Sequence, residues 1–376
     1  MKILYKNANI YIAQKKAFVL GELLTDGGLI AAGEICEDTR IVDLEGAYLV
    51  PGLIDLHTHG RAGGDFVSAN GEMLVKMSQS YLKSGVTGVM PTLASAPLDE
   101  LYGAIDRIAE AQGQGACNFL GVHLEGRYLN AKRRGAHAEA LLAPLDGAEL
   151  AGLIGAMRTV GQVHVSAALE LDKNGEFTKA AIQNGATLGL AHTDATFAEA
   201  QTAFENGARS LTHTYNAMSP FHHRDGGAVG AGLVNPDVYC ELIVDGFHVS
   251  PEAVKLAYMM KKDKLVLITD SMEATGMADG EYSIAGLPVT VRDGKARTHE
   301  GAIAGSTLSL IDGVKNLAQF TGISFAEAVY HATAAPAKMI GIYDSVGSLE
   351  VGKQANMLVL DNEYNVREVI FKGEKI

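Results

Sequence analysis

Short apolar runs alternate with stretches of helical period from about residue 50 to residue 340. The eight runs are LIDLH (53–57), VTGVMPT (86–92), FLGVHLE (119–125), VHVSAALE (163–170), TLGLAH (187–192), RSLTHT (209–214), CELIVDGFH (240–248) and LVLITD (265–270). Helical candidates such as GEMLVKMSQSYLKSG and PEAVKLAYMMKK fill most of the gaps. This alternation predicts an α/β protein built on a (β/α)8 TIM barrel.

The two ends of the chain have a different pattern. Residues 1–49 form short strand-like segments separated by glycine and Asp-Gly, and strand-like segments return after residue 340. Neither end can close a core alone, so we expect both to pair in one small β-domain. The predicted domains are therefore 1–50 and 341–376, forming the β-domain together, and 51–340, forming the barrel. A hairpin (EYSIAGLPVTVRDGKART) and two helices are expected after the eighth barrel strand.

Composition narrows the possible partners and the location. The formal net charge of −13 argues against nucleic acid or an anionic membrane as a partner. No apolar run approaches the roughly 18 residues of a membrane span, and the N-terminus does not resemble a signal peptide. Three isolated cysteines, Cys36, Cys117 and Cys240, fit buried thiols in a reducing cytosol, so a cytoplasmic location is expected.

Metal-seeking side chains close several of the barrel runs. They are His57, His59, Glu125, His192, His213 and Asp270. Because chemistry in a TIM barrel collects at the carboxyl ends of the strands, these side chains are expected to share one site. Histidine combined with carboxylate suits zinc or divalent iron better than magnesium or calcium. The pattern predicts a metal-dependent hydrolase.

Each of these residues also has a simpler explanation. His-x-His pairs arise by chance, a lone core histidine is common, and Asp270 could cap the segment after it. Their shared position at successive strand ends favours metal binding, with Glu125 as a bridging or sole carboxylate. A carboxylate at the end of strand eight can accept a proton from metal-activated water, which makes Asp270 the expected general base and acid.

A second polar cluster suggests an anionic substrate. Arg224, His137 and His248 follow strands six, three and seven, and Arg is suited to phosphate. His222 and His223 are better explained as an exposed loop, and Lys132, Arg133 and Arg134 as a solvated one.

Motifs along nearly the whole chain resemble the N-acetylglucosamine-6-phosphate deacetylases of the amidohydrolase superfamily. They include PGLIDLHTHG, GVHLEG, RRGAH, LGLAHTDA, LTHTYNAMSPFHHR, VDGFHV, LITDSMEATGMADGEY, AGSTL and GSLEVGKQANMLVL. The resemblance implies a barrel with a β-sandwich of both termini. It also implies a sugar phosphate substrate and one or two divalent ions per subunit.

The same resemblance implies roles for individual residues. Glu125, His192 and His213 would bind one metal, His57 and His59 could hold a second, and Asp270 would be the catalytic acid and base. His137 would polarise the acetyl carbonyl, and Ala136 would contact substrate. Asn216, Ala217 and His248 would hold the sugar phosphate, together with Ile303, Ala304, Gly305 and Ser306. Arg224 would reach the neighbouring site across a homodimer.

Two departures from the family pattern bear on the substrate. Arg127-Tyr128 replaces Pro-Phe after HLEG and is expected to add positive charge near the metal site. Asp225-Gly226-Gly227 replaces an acid-Pro-Gly sequence and is expected to loosen the loop of Arg224.

Four alternative functions share parts of this pattern. N-acetylgalactosamine 6-phosphate differs from the expected substrate at one hydroxyl. Cyclic-amide hydrolases use a carboxylated lysine ending strand four, whereas this run ends on Glu170. Adenosine-deaminase-like enzymes lack the glutamate ligand ending strand three. A non-catalytic sugar-phosphate sensor would be expected to have lost ligands or the base.

Overall fold

A parallel barrel and a sheet from both chain ends make up the computed structural model, which describes residues 1–115, 118–284 and 286–376. The strands are β1 (Ile3–Ile12), β2 (Ala17–Asp26), β3 (Leu29–Ala31), β4 (Arg40–Asp43), β5 (Tyr48–Pro51), β6 (Leu53–Thr58), β7 (Gly60–Arg61), β8 (Gly64–Asp65), β9 (Val86–Leu93), β10 (Asn118–Phe119), β11 (Gly121–Glu125), β12 (Gln162–Ala167), β13 (Thr187–Leu190), β14 (Ser210–Leu211), β15 (Tyr239–Ile243), β16 (Leu265–Ile268), β17 (Gly280–Ile284), β18 (Leu287–Arg292), β19 (Lys295–Thr298), β20 (Met357–Leu360), β21 (Val366–Phe371) and β22 (Glu374–Lys375).

The helices lie mostly between the barrel strands. They are α1 (Gly71–Lys83), α2 (Leu98–Ala111), α3 (Gly147–Met157), α4 (Glu176–Gln183), α5 (Phe197–Glu205), α6 (Gly227–Val234), α7 (Pro251–Lys261), α8 (Leu310–Thr321), α9 (Phe325–Val329) and α10 (Ala334–Met339). Several begin at side-chain caps that the sequence supplies. Thr196 and Glu199, for example, form a reciprocal capping box at the start of α5.

The barrel strands follow one another in the order β6, β9, β11, β12, β13, β14, β15 and β16, and all pairs are parallel. The last strand returns to the first at the carboxyl end of the barrel, where Thr58 of β6 and Ser271, just after β16, form a parallel bridge. There the Asp270 N–H also donates to the His57 carbonyl at 2.8 Å. Because helices cover the outside and side chains fill the inside, strands such as β9 and β16 are buried at every residue. The predicted (β/α)8 barrel is confirmed.

Five barrel strands end earlier than the sequence pattern predicted. β12 stops at Ala167 and β15 at Ile243, before Glu170 and His248, which were expected to end these strands. β13, β14 and β16 stop two residues before His192, His213 and Asp270. These three residues instead have left-handed backbones, with φ of 43°, 30° and 49°. The chain therefore turns out of the strand ladder at the rim, and the polar residues belong to the loops that leave the barrel.

The terminal segments share one eight-stranded sheet, in the order β22, β21, β20, β5, β1, β2 and β3, with β4 paired to β1. β5 and β20 join the two ends of the chain by antiparallel pairing. The expectation that both ends pair is confirmed, and the boundaries at residues 50 and 340 remain a prediction. The segment predicted as one hairpin forms three antiparallel strands, β17 to β19.

The cysteines only partly match their predicted burial. Cys240 is buried and Cys36 is exposed, so the prediction of a buried thiol is wrong for Cys36. Cys117 lies outside the described residues. Within the described ranges, no helix is both long and apolar enough to cross a membrane.

Candidate active site

Glu125 stands between two pairs of histidines at the carboxyl end of the barrel. It is the last residue of β11 and is almost fully buried. Its Oε1 lies 2.8 Å from His213 Nε2 and 3.3 Å from His192 Nε2. Its Oε2 lies 2.9 Å from His59 Nε2 and 3.1 Å from His57 Nε2. Each carboxylate oxygen therefore faces one pair of imidazole nitrogens.

Asp270 completes the group on the His57 side. Its Oδ1 lies 3.4 Å from His59 Nε2 and 3.6 Å from His57 Nε2. The described residues thus provide two adjacent sets of metal-ligating atoms, each set within 4.8 Å: His57, His59 and Asp270; and Glu125, His192 and His213. Nitrogen and carboxylate donors in this number suit a transition metal or zinc.

Groups behind two of the histidines orient their rings. The Nδ1–H of His192 donates to the Arg133 carbonyl at 2.7 Å, which leaves the lone pair of Nε2 facing the site. Glu241, fully buried on β15, places Oε2 3.7 Å from His57 Nδ1. Neither of these two atoms has a closer hydrogen-bond partner among the described residues.

The charges of the site are strongly coupled. Burial acts to raise the pKa of Glu125, but the facing histidines hold it well below its usual value. Burial acts to lower the pKa of His57, but Glu125 and Asp270 raise it well above its usual value. The pKa of His213 is raised by Glu125 in the same way, against the effect of burial. The pocket therefore favours a carboxylate opposed by positive charge, which a bound cation would also supply.

His137 approaches the same carboxylate from the loop after β11. Its Nε2 lies 3.9 Å from Glu125 Oε2, and its Nδ1 lies 2.9 Å from the Ser95 hydroxyl. Burial, together with the nearby His192, lowers the pKa of His137 well below its usual value. A neutral imidazole at this position can donate one hydrogen bond into the site.

A cleft of about 380 Å³ opens above these groups. It is lined by His59, Glu125, Lys132, Arg133, Gly135, Ala136, His137, His192, His213, Asn216, Ala217, His248, Asp270, Ile284, Ile303 and Gly305. Most of the residues proposed for substrate binding are therefore brought together here. The exceptions are Ala304 and Ser306, which are buried beside the cleft, and Arg224.

Ser306 supports the site from behind. Its N–H donates to the Asp270 carbonyl at 2.7 Å, and its hydroxyl contacts the Thr269 carbonyl. His248 is also held from behind, because its Nδ1 lies 2.6 Å from Asp245 Oδ2. Burial acts to raise the pKa of Asp245, but its contact with His248 lowers it.

Arg224 lies away from the cleft of its own chain. It is exposed, as are His222 and His223, and no side-chain partner is described for it. The loop is a tight turn rather than a loose one, since His222 and Asp225 exchange backbone hydrogen bonds of 2.8 and 2.9 Å. Gly227 has φ of 55°, and a Cβ there would lie 2.5 Å from the Pro220 carbonyl oxygen. The expected loosening by Asp225-Gly226-Gly227 is wrong.

Arg127 also differs from expectation. Its guanidinium points to α3, where Nε lies 2.9 Å from Glu149 Oε1, and Tyr128 donates to the same oxygen at 2.7 Å. The charge of Arg127 is therefore balanced outside the site and adds little to the field at Glu125.

The backbone of Gly126 packs closely against Ser95. A Cβ on Gly126 would lie only 2.3 Å from Ser95 N.

Lys132 is exposed, as predicted for a solvated loop, but it and Arg133 also lie at the cleft. Both pair with Asp194, at 3.3 and 2.9 Å. Their position directly after strand three was the available signal for a place at the cleft. Glu170, which was expected to end strand four, lies three residues beyond β12 and accepts hydrogen bonds from Asn130 and Thr193 at 2.9 and 2.7 Å.

Comparison with known proteins assigns this arrangement to a family. The family model that describes amidohydrolase sequences matches residues 48–376 of this chain. The chain belongs to the amidohydrolase family. A relative from Escherichia coli O157:H7, named N-acetylgalactosamine-6-phosphate deacetylase, is 37% identical over 351 residues, covering 92% of each chain. Another from Vibrio furnissii, named N-acetylglucosamine-6-phosphate deacetylase, is 35% identical over 358 residues, covering 93% of this chain and 89% of the relative.

A solved structure supports the same assignment. The crystal structure of N-acetylglucosamine-6-phosphate deacetylase from Pasteurella multocida matches this amidohydrolase with a TM-score of 0.93, at 32% identity and 100% coverage of both chains. Amidohydrolases depend on metal, and the two sets of donor atoms around Glu125 are chemically suited to it.

Proposed function

We propose that this amidohydrolase hydrolyses the acetamide of N-acetyl-D-glucosamine 6-phosphate, giving D-glucosamine 6-phosphate and acetate. The observation that carries the proposal is the convergence of two sets of metal-ligating atoms at one cleft, with only His57 buried behind it, in a chain similar to relatives named for this reaction. The cleft is also bordered by cationic side chains, as an anionic substrate requires.

Zinc or divalent iron is the proposed cofactor, with one or two ions per subunit. Glu125 Oε1, His192 and His213 would hold one ion. His57, His59 and Asp270 would hold a second, next to the Oε2 side of Glu125. A bound divalent cation lowers the pKa of water, supplying a nucleophile near neutral pH, and polarises a carbonyl oxygen.

The remaining steps belong to side chains of this protein. Asp270 Oδ1 accepts the proton of the attacking water and then delivers it to the sugar nitrogen as the carbon–nitrogen bond breaks. His137 donates a hydrogen bond to the acetyl oxygen, where negative charge develops. A bond forms between the water oxygen and the carbonyl carbon, and the carbon–nitrogen bond breaks. The products are acetate and the free amine of the sugar.

The phosphate of the substrate is assigned to the outer part of the cleft. Asn216, Ala217 and His248 would contact it, with the segment Ile303 to Ser306 closing the opposite side. Lys132 and Arg133 border the same opening and provide attraction for a dianion despite the net charge of −13. Ala136 would contact the sugar.

A homodimer is proposed in which Arg224 serves the neighbouring subunit. Its support is that Arg224 is exposed and does not line its own cleft. Mixing Arg224→Ala with Asp270→Asn subunits should restore about a quarter of wild-type activity, since half of randomly formed dimers would contain one complete site. If the mixed sample is no more active than the sum of its parts, Arg224 does not act across subunits.

Acetate release from both epimeric sugar phosphates tests the central proposal. With zinc or iron added, kcat/KM should be higher for the glucosamine substrate than for the galactosamine one, which is the less favoured alternative. Metal analysis of protein purified without chelator identifies the ion. Binding of sugar phosphate without acetate release would indicate a sensor instead.

A cytoplasmic location is proposed with the reaction, since sugar phosphates are intracellular metabolites.

A further inference from the structure

Three histidines of the cleft have a partner at Nδ1, but the partners are of two kinds. His192 faces the Arg133 carbonyl at 2.7 Å, and His248 faces a carboxylate oxygen of Asp245 at 2.6 Å. Both partners can only accept, so Nδ1 carries the hydrogen in these two rings. His137 differs, because its Nδ1 faces two donors on Ser95.

Both donor groups of Ser95 point at the same nitrogen. The Ser95 N–H lies 3.4 Å from His137 Nδ1, and the hydroxyl oxygen lies 2.9 Å from it. A backbone N–H can only donate, so this contact favours a lone pair on Nδ1. The hydroxyl accepts the N–H of Arg127 at 2.8 Å, and its own hydrogen is free to be donated to Nδ1. The two contacts together favour a ring hydrogen on Nε2 of His137.

The environment preserves this arrangement. Ser95 and His137 are 2% and 6% exposed, so water cannot readily replace either partner. Ser95 follows β9 by two residues, and the close approach of Gly126 fixes its backbone against the loop after β11. Meanwhile Nε2 points into the cleft, 3.9 Å from Glu125 Oε2.

We propose that Ser95 is a positioning residue that holds His137 in the tautomer with hydrogen on Nε2, so that this N–H can donate to the acetyl oxygen. The opposite tautomer would aim a lone pair at that oxygen and oppose the charge that develops there. The catalytic part of the proposal rests on the proposed deacetylase function, whereas the tautomer itself can be measured without it.

The tautomer is tested by nuclear magnetic resonance of wild-type protein labelled with ¹⁵N-histidine. Two- and three-bond nitrogen–proton correlations distinguish the protonated nitrogen from the bare one, and His137→Gln identifies the signal. We expect hydrogen on Nε2 of His137. Hydrogen on Nδ1 would overturn the proposal.

Variants test the role of the hydroxyl. Ser95→Ala should lower kcat by roughly 10- to 100-fold, the usual range when a group that orients a site histidine is lost, with KM changed less than about threefold. Its His137 signal should show mixed tautomers. Ser95→Thr keeps the donor and should recover most of kcat. Ser95→Cys, which is close in size but a weak donor, should stay impaired even if Ser95→Ala fails to fold.

Ser166→Ala provides a matched control. Ser166 also contacts a buried histidine, with its hydroxyl 2.8 Å from His123 Nε2, but neither residue lines the cleft. Ser166→Ala should lower the melting temperature about as much as Ser95→Ala does. Its kcat should stay within about twofold of the wild-type value, because Ser166 lies away from the reacting groups. An unchanged kcat in both Ser95→Ala and Ser95→Cys contradicts the proposal. A wild-type protein with the expected tautomer but no acetate release contradicts the deacetylase function instead.

Discussion

Three residues of the site, His192, His213 and Asp270, adopt backbone conformations that L-residues disfavour. Each left-handed residue costs on the order of 1 to 2 kcal/mol, which the surrounding structure must offset. The hydrogen bonds of Asp270 to the His57 carbonyl and the Ser306 N–H show how: both peptide groups are tied to neighbouring segments. With these turns, His192 and His213 face Glu125, and Asp270 faces His59.

Replacement of Asp270 by Asn separates proton transfer from metal binding. The amide keeps the size of the side chain but cannot accept the proton of the attacking water. We expect kcat to fall by about 10² to 10⁴-fold, the usual contribution of an acid–base group. Metal content, measured by elemental analysis, should be close to wild type at the Glu125, His192 and His213 set. Near-normal turnover would remove Asp270 from its proposed role.

Glu241 is expected to support His57 as a metal ligand. Its Oε2 faces His57 Nδ1 at 3.7 Å, an arrangement that favours hydrogen on Nδ1 and a lone pair on Nε2. Glu241→Gln should weaken metal binding about 10- to 100-fold, measured by titration of metal-free protein. Glu149→Gln, which alters a carboxylate paired with Arg127 outside the cleft, is the control and should bind metal normally. Equal affinities in the two variants would contradict the assignment.

At the scale of elements, apolar periodicity predicted the barrel and the pairing of the chain ends. It could not predict where strands stop, because LGLAHT and LVLITD keep their apolar character up to a rim that is set by backbone turns. Similarly, the sequence placed Arg127 beside Glu125, but its direction depends on Glu149 of α3, which only the packed fold brings near. The roles of Ser95 and Glu241 could not be predicted from the sequence. They depend on contacts with the rings of His137 and His57, which only the folded structure shows.

Gly126, in the loop after β11, packs closely against the loop after β9, and a larger side chain there should destabilise the protein. A Cβ there would lie 2.3 Å from Ser95 N, so the backbone after β9 would have to move. Gly126→Ala should lower the free energy of unfolding by about 1 to 3 kcal/mol in urea denaturation. Gly155→Ala on α3 is a suitable control, because a Cβ there meets nothing within 4 Å, and it should stabilise by about 0.5 to 1 kcal/mol. Equal effects of the two substitutions would argue against the close approach.

At the scale of the whole molecule, the terminal sheet contacts the barrel far from the cleft. Lys16, in the turn between β1 and β2, pairs with Asp263 just before β16. His331 is buried nearby, and its Nδ1–H donates to the Leu265 carbonyl at 2.9 Å. Burial lowers the pKa of His331 to about 4. The junction between the two sheets thus contains an imidazole that resists protonation.

His331 should make stability depend on pH. Because its folded pKa is lowered to about 4, the unfolded chain takes up the proton first as the pH falls. The stabilisation is therefore complete above about pH 6.5 and is lost between pH 6.5 and 4, by roughly 3 kcal/mol. Calorimetry across this interval should show a steeper decline for wild type than for His331→Gln. Parallel declines would mean that His331 is not neutral in the folded protein.

The pairing of β5 with β20 also orders events during synthesis. β5 leads after one residue into β6, which carries His57, yet its neighbour in the sheet is made more than 300 residues later. Until the segment of β20 leaves the ribosome, the edge of β5 that faces away from β1 has unpaired backbone groups. A nascent chain therefore finishes its N-terminal sheet last, and a stop codon shortly before β20 should yield an aggregating product even though every proposed ligand has already been made.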